Sequence, residues 1–485
     1  MTRFPRFGGN PWENAGVRRF AWLLAVVALA AAACGDSTPP ATPSPAGTAP
    51  GTVPPSSLTA AANPSAAVAT KGAAGTATAS AAAAVKKLGT PSGKAHTTKE
   101  PTITALAPGA TLHTGTLGNA VYAIEIPAQW NGELVLWAHG FAGFDTVVTV
   151  DPPPTALRRL WLEQGYAWAA SSYSENGYVP GIGADDTLAL REQFAGQFGT
   201  PKRTYIAGAS MGGNVVALSL EHFPDAYDGG LAVCGALAGQ EQIDYLLSWS
   251  LLGEAVAGVQ LPIGTGAPML PALLTLSGKL GSATAPTVEG QQYISAIRAL
   301  SGGPRPFFVE GFAMQVTANF GFALADPGRL SLPFQAATNE GVRYGIDGGL
   351  GLSEAALNAK VRRFAPIPGA RDAAAHPDAV PTSGRILDPL LTLHNTGDLF
   401  VPISMEQSYL AKVKAAGKSD LLVQRAIRAA GHCVFTEAEQ RAAWNDLVAW
   451  VRDGRKPAGE DLSGDLSNAG MAFTNPLRAG DPGTK

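Results

Sequence analysis

Short apolar runs alternate with amphipathic segments along much of this chain. The stretch "AVYAIEIP" (120–127) switches between apolar and polar with period two, as a half-buried strand does. "GELVLWAHG" (132–140) is apolar nearly throughout, the pattern of a parallel strand covered on both faces. "LRRLWLEQG" (157–165) has helical spacing and ends at glycine. A short apolar strand, "YAWAASS" (166–172), follows. "DTLALREQFAGQFG" (186–199) then carries an Asp near its start and apolar residues at helical spacing. Strand "RTYIAGAS" (203–210), helix "NVVALSLEHFP" (214–224) and strand "GGLAVCG" (229–235) continue the series.

The alternation pauses from about 236 to 382, where helix-like segments such as "EQIDYLLSWSLLGEAV" are split by Gly/Pro loops. It resumes with a strand ending near Asp398, a helix (404–417), the strand "DLLVQRAI" (420–427) and a last long helix (437–454). This order predicts an α/β fold: a mainly parallel, doubly wound sheet, interrupted by a mostly helical insertion before the strand that leads to Asp398. The core parts are then 101–235 and 383–456, with the insertion at 236–382.

Neither end of the chain follows that pattern. After Arg18 and Arg19, "FAWLLAVVALAAAAC" (20–34) is apolar, too short to span a bilayer comfortably, and closes on small residues, as an export signal does. "ALAAAACG" resembles a bacterial lipobox, which implies that Cys34 becomes the lipidated first residue, although Ala31 stands where that motif more often has Leu. Plain secretion after "AAA" is the alternative. A lipid anchor at Cys34 is thus the most membrane attachment expected. Residues 35–100 are mainly Ala, Pro, Thr, Ser and Gly with few large apolar side chains, which predicts a disordered tether. Residues 457–485 show little periodicity and read as a loose tail.

Composition narrows the picture. Of 485 residues, 46% are hydrophobic, enough for a large core, and the net charge of -3 with no basic stripe argues against a nucleic-acid partner. Three cysteines and seven histidines without C-x-x-C or H-x-x-x-H spacing imply no metal site, and no organic cofactor is implied either.

The sharpest chemical motif is "GASMG", with Gly208, Ser210 and Gly212 between a predicted strand and a predicted helix. A serine at such a turn is pushed out of the sheet edge, and small flanking residues let neighbouring chain pass close. A serine needs a base, and His432 lies on the loop between the last strand and the last helix. His394, inside a strand, reads as a core imidazole. Asp398 ends the preceding strand and suits the third role, holding the imidazole in its tautomer; its rival Asp388 stands at the wrong strand end. For an oxyanion, the amide of Met211 follows the serine directly. A second donor is expected from the "HGFAG" loop, Phe141 first and Gly140 next, with His139 bracing that loop.

The order Ser210, Asp398, His432 on this pattern resembles the α/β-hydrolase superfamily, which implies an α/β-hydrolase fold with the insertion as lid. "GASMGG", "NTGDLFVP" and "GHCVFT" look like secreted serine esterases of the tannase, feruloyl-esterase and polyester-depolymerase kind. The resemblance implies a small-molecule or polymeric ester substrate cleaved through an acyl-enzyme. In tannase-like enzymes a Cys beside the His is bonded to a Cys directly before the Ser. Here Ala209 holds that place, so the resemblance leaves Cys234 as the partner of Cys433. A peptidase or acyltransferase would use the same groups, and a non-catalytic surface lipoprotein would need none of them. The aromatic-rich stretch 306–324 reads as the insertion's own core or as pocket lining.

Overall fold

The computed structural model describes residues 87–326 and 328–476. Cys34, the export segment, the tether up to residue 86 and the last nine residues lie outside that range.

Eight strands form one sheet: β1 (Thr111–Leu117), β2 (Ala120–Ile126), β3 (Glu133–Ala138), β4 (Ala167–Ser171), β5 (Arg203–Ala209), β6 (Gly229–Val233), β7 (Leu390–Gly397) and β8 (Leu422–Ala430). Their spatial order is β1-β2-β4-β3-β5-β6-β7-β8. β2 runs antiparallel to β1 and to β4, and the remaining pairs are parallel. The central strands are apolar on both sides because both sides are covered. Leu134, Leu136 and Ala138 of β3 point into one core with Leu190, Phe194 and Val215. Val135 and Trp137 point into the other with Leu157, Trp161 and Trp444. The first core is closed by α2 (Pro180–Phe198) and α3 (Met211–His222); the second by α1 (Thr155–Glu163) and α11 (Glu437–Asp453). This is the α/β-hydrolase fold, and the sharp turn after β5 carries Ser210.

Between β6 and β7 lie α4 (Glu241–Ala257), α5 (Leu270–Leu280), α6 (Val288–Leu300), α7 (Phe308–Ala325), α8 (Leu332–Ala336) and α9 (Glu354–Lys360). α10 (Ser404–Ala415) joins β7 to β8. The insertion shares the first core: Trp249, Tyr293, Phe308 and Phe312 are buried there. The aromatic stretch therefore packs the insertion, with Trp249 and Phe312 ring centres 5.7 Å apart.

Three expectations need correction. α2 starts at Pro180, six residues before Asp186; proline at the first helical position presets φ and needs no hydrogen-bond donor. Folded structure is already present from residue 87, inside the stretch 35–100 expected as a tether. Leu88 is buried, the amides of Leu88 and Gly89 donate to Asp185 at 3.0 Å, and Thr97–Thr98 pair with Val147–Val148. The tail is not loose through residue 476: Leu462, Leu466 and Ala469 are buried with Ile403 and Ala426. The Arg428 guanidinium donates to the carbonyls of Ala469 and Ser467.

Candidate active site

The turn after β5 is set by close packing. A methyl group on Gly212 would lie 2.0 Å from the Ala138 carbonyl oxygen, and one on Gly208 would lie 2.4 Å from that of Gly212. With no side chains there, the start of α3 presses against the end of β3. Ser210 bridges strand and helix at φ 57° and ψ -122°, a conformation that a residue with a side chain holds only when its surroundings impose it. Its amide donates to Val233 O at 3.1 Å, and its carbonyl accepts from Gly213 and Ala236.

Asp398 follows β7 and is fully buried. Its Oδ1 accepts from the amides of Phe400 (3.0 Å) and Val401 (3.1 Å). Its Oδ2 accepts from His432 Nδ1 at 2.6 Å. A carboxylate on Nδ1 leaves Nε2 as the basic nitrogen, and His432 Nε2 has no hydrogen-bond partner among the described residues. The His432 loop is held on three sides. Cys433 is bonded to Cys234, which directly follows β6. The Asn395 carboxamide pairs with both the N–H and the C=O of Val434, at 2.8 Å each. Thr436 and Glu439 form a reciprocal cap at the start of α11. Cys234, Cys433 and one His432 nitrogen lie within 4.8 Å of one another, but the two sulfurs are bonded to each other and offer no thiolate to a metal.

The expected oxyanion loop runs beside the serine. A methyl on Gly140 would sit 3.2 Å from Ser210 Cβ and 3.7 Å from its Oγ. His139 braces this loop: its Nδ1 donates to Gly140 O at 2.7 Å, and its ring stacks on Tyr173 with centres 3.8 Å apart. Burial pushes the His139 imidazole below its ordinary value and so favours the neutral ring, against the pull of Asp151, which favours the charged one. Met211 is the first residue of α3, where a helix amide has no acceptor four residues back. Beside Ser210 opens a narrow crevice walled mainly by Phe141, Tyr178, Met211, Gln242, Leu246 and Phe400.

The sequence reading missed the groups that hold the turn around Asp398. Gln315 of α7 accepts at Oε1 from Leu399 and Phe400 amides and donates at Nε2 to Gly397 O. Asn319, one turn on, donates to Leu399 O at 2.7 Å, as does the Tyr245 hydroxyl at 2.8 Å. Gly311 packs flush, since a methyl there would lie 1.9 Å from Gly397 O. Buried Arg305 donates to Thr396 O at 2.6 Å, and burial lowers its pKa to about 10. The helical spacing of Gly311, Gln315 and Asn319 was the available signal. Near Asp398, His394 is buried; its Nε2 donates to Val401 O and its Nδ1 lies 3.3 Å from Glu406. Burial pushes that imidazole down, but Glu406 and Asp398 outweigh it, so its pKa stands above the ordinary value.

No family model matches the chain. The chain is similar to the o-phthalyl amidase of Xanthobacter agilis, 23% identical over 414 residues that cover 72% of this chain and 90% of that protein. Among solved structures it is similar to an esterase from Aspergillus oryzae, at 13% identity and TM-score 0.40, covering 72% of this chain and 80% of that one. It is also similar to the proline iminopeptidase of Mycobacterium smegmatis, at 13% identity and TM-score 0.36, covering 71% and 100%.

Proposed function

We propose that the chain is a serine hydrolase acting on carboxylic esters through an acyl-enzyme. The observation that carries this reading is the 2.6 Å bond from His432 Nδ1 to a buried Asp398, with Nε2 left unpartnered, above the sheet edge that carries Ser210 on a strained turn. In this reading His432 Nε2 takes the Ser210 proton as Oγ attacks the ester carbonyl. Asp398 keeps the imidazole in the Nδ1–H tautomer and stabilises the imidazolium that forms. The amides of Met211 and Phe141, with Gly140 next, hold the oxyanion. His432 then protonates the leaving alcohol, and water repeats the cycle on the acyl-enzyme.

Amide hydrolysis is the second reading, favoured by the likeness to o-phthalyl amidase. It uses the same groups and differs in the leaving group, an amine in place of an alcohol. Purified protein tested on short p-nitrophenyl esters and on matched p-nitroanilides separates the two. Ester turnover should dominate, and Ser210→Ala should lose at least a thousandfold in kcat. Retention of most ester turnover by Ser210→Ala overturns the assignment; preference for the anilides shifts it to an amidase.

A further inference from the structure

The crevice beside Ser210 carries no charged side chain among the described residues that line it, and most of its wall is apolar. Two polar side chains other than Ser210 interrupt that wall, Tyr178 and Gln242. The Tyr178 hydroxyl is engaged at both ends: it accepts from Asn214 Nδ2 at 3.2 Å and donates to Gly239 O at 3.5 Å. Gln242 differs. It is only 2% exposed. Its Nε2 donates to Phe400 O at 2.7 Å, while its Oε1 has no hydrogen-bond partner among the described residues. The amide cannot be reversed at no cost, because that would set Oε1 against the Phe400 carbonyl, acceptor against acceptor. Gln242, the second residue of α4, thus lines the crevice that Ser210 shares and carries a buried acceptor without a partner among the described residues.

A buried acceptor left without a donor is costly, and a bound molecule that supplies the donor removes that cost. A site built around such an atom discriminates against analogues that lack the donor more strongly than an apolar wall discriminates by size. An acyl group bearing a carboxylate would meet no cation here, so a charged acyl end is disfavoured.

Resting on the esterase reading above, we infer that Gln242 is a specificity-determining residue that selects uncharged acyl groups carrying a hydroxyl, by accepting that hydroxyl at Oε1. The chemistry at Ser210 does not change; Gln242 decides which acyl chain is turned over fastest.

The test uses pairs of esters in which the hydroxyl is replaced by a methyl group of similar size. These are methyl 3-hydroxybutanoate against methyl 3-methylbutanoate, and methyl lactate against methyl 2-methylpropanoate. Hydrolysis is followed by titration of the released acid. The wild-type chain should favour the hydroxylated member of at least one pair by about tenfold in kcat/KM, and Gln242→Leu should bring that ratio to near one. The ratio is read on a single protein sample, so a partial loss of folded enzyme cancels. Gln242→Met, also without an acceptor oxygen, should give the same result and serves if the leucine variant does not fold. An unchanged ratio in either variant, or a wild-type preference for the methyl isostere in both pairs, overturns the inference. Wild-type protein that turns over none of the four esters also overturns it. Fluorophosphonate labelling then decides whether the nucleophile reading survives: labelled Ser210 keeps that reading, and an unlabelled chain removes both.

Discussion

At the scale of single residues, Ser210 depends on atoms its neighbours lack. Its φ of 57° is held because Gly212 lets the first turn of α3 approach the Ala138 carbonyl. Gly212→Ala would place a carbon 2.0 Å from backbone oxygen, where no side-chain rotation relieves the clash. The expected cost is about 2 kcal/mol or more, by analogy with overpacked cores. Thermal unfolding should show it as a lowered Tm, and kcat should fall as the turn shifts; a variant as stable and active as wild type contradicts this packing. The tight turn at Ser210 and the pairing of Asp398 with His432 were legible in the sequence because a motif or a strand end marks each position. Gln315, Arg305 and Asn395 were not, because all three act on backbone groups. Which backbone they meet depends on elements between about 40 and 90 residues apart packing together.

At the scale of elements, α2 meets the short helical turn Pro377–Ala379, and Asp378 stands between them. A methyl on Gly181 would lie 2.6 Å from Asp378 Oδ2. Burial raises the Asp378 pKa from 3.8 to about 7, and nearby Asp185 adds to it, against hydrogen bonds from the Gly181 and Asp378 amides. The folded chain therefore holds a proton that the unfolded chain releases near pH 4. The stability from this proton is complete below about pH 4 and is lost as pH rises to about 7. Asp378→Asn lacks the titration, so its Tm relative to wild type should be higher at pH 8 than at pH 4.5. A difference in Tm that does not vary with pH contradicts the role given to this carboxyl. The sequence placed the start of α2 six residues late because Asp186 looks like a cap. In the structure Asp186 accepts from the Ser174 amide and Asp185 from Leu88 and Gly89, so both serve loops beside the helix.

At the scale of the whole molecule, one covalent bond ties the end of β6 to the His432 loop across β7. Cys234 and Cys433 are 199 residues apart in sequence. Closing so long a loop in the unfolded chain is worth about 5 kcal/mol by chain entropy. Unfolding should therefore occur at a clearly lower denaturant concentration after reduction, and kcat should fall because the histidine loop loses one of its three holds. Equal midpoints with and without reductant contradict that account. Strand–helix alternation made the sheet readable, since each strand's apolar run reports cover on both faces. The packed segment 457–476 escaped notice because Leu462, Leu466 and Ala469 are isolated apolar residues in a polar stretch, with no helical or strand periodicity. Their burial depends on the sheet edge they land on. The central claim is that Ser210 is a nucleophile activated by His432. Peptide mass spectrometry after treatment of the folded chain with a fluorophosphonate tests it most directly. The account predicts a stoichiometric adduct on Ser210; an unmodified Ser210, or an adduct on a different serine, contradicts it.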